Sequence, residues 1–93
     1  MAEEAIIQRL SKAKRRAINI LKEADYEIIP LSNGVFDFQA EREEGIRKIR
    51  IVLDKENDND IELVSKKSVP NICQKEIWCA IYGTRKFNKI RIN

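Results

Sequence analysis

The sequence contains no histidine, two cysteines, three glycines, two prolines and one tryptophan. Each scarcity removes a class of chemistry. Without histidine there is no imidazole base, so Ser–His and Cys–His nucleophilic sites are excluded, and cysteine catalysis would need a different base. Cys73 and Cys79 alone cannot close a four-ligand zinc site within one chain. Read on a helix, their spacing sets them about 240° apart, too far around for a disulfide. The expectation is two buried, reduced thiols and a cytoplasmic setting. No repeat, low-complexity segment or linker is visible, so the 93 residues read as a single domain, 1–93. No apolar run approaches the roughly 20 residues that cross a bilayer. The acidic start Met1-Ala2-Glu3-Glu4 does not read as a signal peptide. No membrane association is expected.

What is present is aliphatic patterning, with aromatics at only 6% of residues and a core drawn mostly from isoleucine and its relatives. Residues 3–24 read as an amphipathic helix. Ile6, Leu10, Ala13, Ala17, Ile20, Leu21 and Ala24 recur at three- and four-residue steps, and Asp25 ends the pattern. The period then changes to two. Tyr26 to Ile29 predicts a short strand stopped by Pro30, with Ser32-Asn33-Gly34 as a turn. Val35 to Arg42 alternates, with Phe36, Phe38 and Ala40 on one side and Asp37, Gln39 and Glu41 on the other. Glu43-Glu44-Gly45 predicts a hairpin loop with Gly45 able to take positive φ. Ile46 to Leu53 alternates again, with Ile49, Ile51 and Leu53 inward. Asp54 to Asp60 reads as a polar loop and Ile61 to Val64 as a strand or extended segment. Asn71 and Gln74 resemble a capping box for a second helix over 72–82, stopped by Gly83. Phe87 to Ile92 predicts a last strand, with Ile90 and Ile92 in and Lys89 and Arg91 out. The expected class is α/β (α+β), an α-β-β-β-α-β mixed sheet flanked by helices.

The net charge of +3 conceals a segregation. Residues 8–22 carry Arg9, Lys12, Lys14, Arg15, Arg16 and Lys22 with no acid. Residues 54–62 carry five acids against Lys55, and residues 66–93 carry seven basic groups against Glu76 alone. Two basic ends fit an anionic partner, nucleic acid first, although a solvated surface helix also needs a charged face. The alternating acids Asp54, Glu56, Asp58 and Asp60 suggest a calcium loop but fail its checkpoints. Counted from Asp54, position six is Asn59 where glycine is required, and position twelve is Ser65 where glutamate is required.

The stretch Gly34-Val35-Phe36-Asp37-Phe38-Gln39-Ala40-Glu41, followed by Ile49-Arg50-Ile51-Val52-Leu53, resembles the central strands of the restriction-endonuclease-like PD-(D/E)xK nucleases. That superfamily includes archaeal Holliday-junction resolvases. Gln74-Lys75-Glu76-Ile77-Trp78 is similar to the glutamine-x-x-x-tyrosine element of some members. The resemblance implies a nucleic-acid partner, Mg²⁺ as cofactor, and Asp37 as the first catalytic, metal-binding carboxylate. Two carboxylates to hold the ion and a lysine to orient water are what that chemistry needs. This sequence departs at the second motif. Arg50-x-Val52 or Val52-x-Asp54 stands where the family has acid-x-lysine, and Asp54-Lys55 would point to opposite faces. A migrated metal set of Asp37, Glu41 and Asp54, with Lys48 reaching in, is the enzyme version of the resemblance.

The expected function is therefore binding of a DNA or RNA backbone through Arg9, Lys12, Arg16, Lys48, Arg50, Lys89 and Arg91, on a nuclease-like domain with an incomplete metal site. The alternatives are a small protein-interaction module, as a homodimer or within a larger complex, and a weak Mg²⁺-dependent endonuclease. For the row Asp37, Gln39, Glu41 against Lys48 and Arg50, a hairpin face with cross-strand ion pairs is the competing explanation.

Overall fold

The apolar stripe of the first segment becomes helix α1, Ala2–Glu23. Ala13, Ala17 and Leu21 are buried, and Leu10, Ile18 and Ile20 pack beside them. Ile6 and Ile7 lie one to two turns upstream and are 53% and 63% exposed, so the helix overhangs the core it covers. The computed structural model describes residues 2–32, 34–53 and 58–92, with the side chains of α1 described from Ala5 onward. Outside the described residues lie Asn33 of the Ser32-Asn33-Gly34 turn, the side chains of the acidic N-terminus, and residues 54–57, which include Asp54 and the first half of the calcium-loop-like run.

Helix α1 stops without a glycine. Asp25 adopts φ +68°, the left-handed conformation that glycine usually supplies at this position. Tyr26 N–H bonds to the Leu21 carbonyl and Asp25 N–H to the Lys22 carbonyl, each at 3.0 Å, which is the Schellman pattern. Arg42 adds a side-chain donor to the Ala24 carbonyl at 2.9 Å.

Five strands follow: β1 Glu27–Pro30, β2 Phe38–Arg42, β3 Gly45–Leu53, β4 Cys73–Ala80 and β5 Phe87–Arg91. They form one mixed sheet in the order β1-β2-β3-β4-β5. The β3–β4 pair is parallel and the other pairs are antiparallel. A parallel pair cannot be joined by a tight turn, so the chain must cross over between them. It does so through α2, Asp58–Lys66.

Here the structure corrects two expectations. The second helix lies at 58–66, where the sequence suggested a polar loop and an extended Ile61–Val64. The stretch 72–82, expected to be that helix, is strand β4 with the start of the following loop. The reason is burial on both faces. Strand β4 is central, with Cys73, Ile77 and Cys79 buried on one side and Glu76, Trp78 and Ala80 on the other, so its apolar run shows no period of two. Helix α2 carries its own signals, with Asp58 and Asp60 in the first turn, Lys66 in the last, and a Glu62–Lys66 pair one turn apart.

The sheet is covered on both sides. Against α1 pack Phe38, Ala40, Ile49, Ile51, Trp78 and Ala80. On the opposite face Val64 of α2 packs with Phe36, Val52, Ile77 and Cys79. Cys73 and Cys79 are free and buried. On a strand they share a face, roughly 20 Å apart by strand rise, rather than diverging around a helix. The β2–β3 connection is tighter than expected. Arg42 pairs with Gly45, so Gly45 begins β3, and it is not among the glycines with positive φ.

Candidate nucleic-acid interface

Arg9, Lys12 and Arg16 recur at three- and four-residue steps along the flank of α1 beside its buried stripe, so a straight helix places them in one row. The row faces the loop between β4 and β5. Together with Ala13, Leu53, Ile81, Tyr82, Gly83 and Thr84, the three cations line an open groove of about 370 Å³. The Arg9 guanidinium lies over the Tyr82 ring, 4.8 Å from its centroid. Arg16 Nη1 donates to the Thr84 carbonyl at 3.3 Å, which ties the helix to the loop. Leu53 ends β3 and Ile81 follows β4, so the groove sits at the carboxyl ends of the two parallel strands.

The sheet register decides which other cations share this face. Lys89 pairs with Trp78 and Arg91 with Glu76, which places both on the α1 side. Lys89 Nζ lies 4.4 Å from the Trp78 ring centroid. Lys89 and Arg91 are exposed while Ile90 and Ile92 are half-buried, as the alternation predicts, and Ile92 packs against the α2 cluster on the opposite face. Lys48 and Arg50 alternate with Ile49 and Ile51 and face α2. Arg50 is committed there, with Nε 3.0 Å from Asp60 and Nη1 2.9 Å from the Val35 carbonyl. Lys48 stands in a half-buried row with Gln39 and Lys75. Five of the seven proposed cations thus gather on one face, and two lie behind it.

Asp37 stands just ahead of β2. Its Oδ1 pairs with Lys14 of α1 at 2.8 Å and its Oδ2 accepts the Ile51 N–H at 2.6 Å. Asp37 N–H bonds in turn to the Ile49 carbonyl at 2.9 Å. Glu41 lies four residues further along, roughly 13 Å away by strand rise, and accepts a hydrogen bond from Gln39. The structure therefore does not bring Asp37 and Glu41 together, and Asp54 lies outside the described residues. No three carboxylate or thiol groups among the described residues could hold one metal ion. Asp37 has a cation and an amide on its two oxygens, and Arg50 occupies the neighbouring motif position. That donor set does not fit a divalent cation, and no step of chemistry is derived through one.

A second polar cluster was not legible in the sequence. Glu76 is 5% exposed and is held by Arg47 through Nε at 2.6 Å and by the second guanidinium nitrogen Nη2. The Trp78 indole N–H donates to the same carboxylate at 3.0 Å. Burial pushes the Glu76 carboxyl up, but the Arg47 hydrogen bonds, the indole and nearby Lys89 outweigh it and hold the group below its ordinary value. Arg47 is pushed further up by the same pair. Arg42 and Arg47 both lie over the Tyr26 ring, at 4.3 Å and 5.3 Å. The one available signal was a lone acid inside a basic, apolar stretch.

The loop residues Ile81 to Thr84 overlap the stretch over which the sequence predicts a helix, which hides Tyr82 from a reading by periodicity. The readable signal was Gly83 between two apolar runs, the mark of a hairpin loop. Comparison of this chain with protein families, with curated proteins and with solved structures finds no match.

Proposed function

We propose that this domain binds the phosphate backbone of DNA or RNA through the basic flank of α1, on a restriction-endonuclease-like scaffold whose metal site is incomplete. The convergence of Arg9, Lys12 and Arg16 on one groove at the carboxyl ends of parallel strands carries the proposal. Ligands of open α/β sheets commonly bind at that end. Lys89 and Arg91 continue positive charge along the same face. The observed order α-β-β-β-α-β-β has one strand more than the resemblance implies, because α2 precedes and β4 replaces the helix expected over 72–82, and Asp37 stands just ahead of β2, where the family carries its first carboxylate. Backbone contacts from Lys and Arg fix position without reading sequence, so binding should tolerate any base order.

Titration of a labelled oligonucleotide at increasing salt tests this. Affinity should fall steeply, because each phosphate neutralised releases counterions. Replacing Arg9, Lys12 and Arg16 with alanine together should reduce the magnitude of the log–log salt slope by roughly 2 to 3. Binding absent at low salt, or indifferent to salt, would remove the proposal. Little or no cleavage of single-stranded, duplex or branched DNA is expected with Mg²⁺ or Mn²⁺. Robust cleavage abolished by Asp37→Ala would show the metal site to be complete.

A protein-interaction role is the second reading, favoured by the exposed Ile6 and Ile7 on the overhang of α1. Strand β5 offers one free edge as well, although Lys89 and Arg91 are the kind of residues that discourage edge pairing. A homodimer seen by light scattering, lost in Ile6→Lys and Ile7→Lys, would favour it.

A further inference from the structure

The loop between β4 and β5 holds a residue that backbone binding alone leaves without a role. Tyr82 is 76% exposed, more than any other large apolar side chain named on the described surface. An aromatic ring ordinarily contributes by burial, and a polar residue would serve an exposed loop better. The loop that presents it is tied down. Gly83 takes φ +77°, which lets the chain turn immediately after the tyrosine. Ile81 N–H bonds to the Lys86 carbonyl at 3.1 Å, and Thr84 N–H bonds to the Ile81 carbonyl at 3.1 Å. The Thr84 hydroxyl donates to the same Ile81 carbonyl at 2.9 Å and accepts the Lys86 N–H at 3.1 Å. Arg16 anchors the loop to α1 through the Thr84 carbonyl. The ring is therefore displayed on a fixed mount, and Arg9 covers one side of it.

A basic groove beside a fixed, exposed aromatic ring is what unpaired nucleic acid requires. A duplex hides its base faces in the stack, whereas a single strand offers each π-face to an aromatic side chain. The groove volume of about 370 Å³ lies near the lower end of small-ligand sites, which suits one nucleotide better than a helix of DNA. Resting on the backbone-binding reading above, we propose that the groove takes single-stranded nucleic acid. One unpaired base stacks on the side of Tyr82 opposite Arg9, and the flanking phosphates lie along Lys12 and Arg16. Stacking is tolerant of base identity, so the preference is for strandedness rather than sequence.

Fluorescence anisotropy with the full chain tests this, using labelled single strands of about 15 nucleotides, as DNA and as RNA, beside the corresponding DNA duplex. At matched salt either single strand should bind at least about tenfold tighter than the duplex, and the arm that binds identifies the sugar. Tyr82→Ala should weaken single-strand binding about tenfold and leave duplex binding and the salt slope unchanged, because the ring carries no charge. Tyr82→Phe should bind as the wild type. Unchanged emission from the buried Trp78 verifies that the variants are folded. Salt-dependent binding of strand and duplex alike, indifferent to Tyr82→Ala, overturns the stacking site and leaves backbone binding standing. No binding of any of the three nucleic acids overturns both.

Discussion

At the scale of single residues, the two most informative acids are both architectural. Glu76 sits beneath Arg47 and Trp78, and a buried carboxylate stripped of its cation has nowhere to regain hydration. Arg47→Ala should therefore destabilise the fold by about 3 kcal/mol in chemical denaturation, read from Trp78 fluorescence. The pH dependence has a definite sign. The folded state holds Glu76 below its ordinary value, so its contribution is full above that value and is lost progressively as pH falls from there through the lower folded-state value. Wild type should lose stability on acidification from near pH 5 downward, and Glu76→Gln should show a shallower loss over the same window. Asp37 tells a similar story at lower stakes. Its partners are Lys14 and the Ile51 amide, so Asp37→Asn should cost on the order of 1 kcal/mol. Mg²⁺ should not shift the wild-type midpoint. Unchanged or increased stability in Asp37→Asn would instead point to a strained acidic cluster.

At the scale of elements, the ends and anchors of the helices are the sensitive points. Asp25 holds a left-handed backbone at the C-terminus of α1 that costs about 1 kcal/mol for a residue with a Cβ. Asp25→Gly should raise the melting temperature slightly, by the margin by which relief of that strain exceeds the cost of glycine's larger unfolded-state entropy. Helix α2 is short, and Val64 is its fully buried side chain. Val64→Ala should cost about 2 kcal/mol, because α2 has few other contacts with which to close the cavity. The amphipathic α1 and the β2–β3 hairpin are readable because their apolar residues keep a single period, with mostly polar residues at the intervening positions. The β4 strand was not, since both its faces are buried and its apolar residues follow no single period. Helix α2 was obscured by an acidic run that looked like a loop or a cation site.

At the scale of the whole molecule, charge is separated along α1. Its middle, from Arg9 to Arg16, borders the basic groove, while Asp25, Glu27, Glu41, Glu43 and Glu44, with Arg42 among them, line a shallow depression near its C-terminal end. From Lys12, the middle of the basic row, to Asp25 the helix rises roughly 20 Å, about two Debye lengths at physiological salt, so each region acts on a polyanion largely by itself. Under the proposed function, such polarity would orient an approaching polyanion toward the groove and away from the acidic end. Lys12 is exposed, and Lys12→Glu should leave stability within about 0.5 kcal/mol while weakening oligonucleotide binding uniformly across sequences. No helix among the described residues is long and apolar enough to cross a membrane.

The sequence by itself determined the mixed α/β character, the first helix with its basic flank, and the antiparallel hairpin, because those features are written in local periodicity. The missing histidine likewise settled which nucleophilic chemistry is absent. Tertiary structure alone decided that Cys73–Ala80 runs as an interior strand, that Glu76 meets Arg47 from 29 residues away, and that Lys14 neutralises Asp37. It also decided that Lys89 shares a face with α1 while Arg50 turns to Asp60. Each of these depends on strand register and crossover between segments distant in sequence. Periodicity reports only whether a residue faces inward, and the partner it meets there is set by which strand lies alongside.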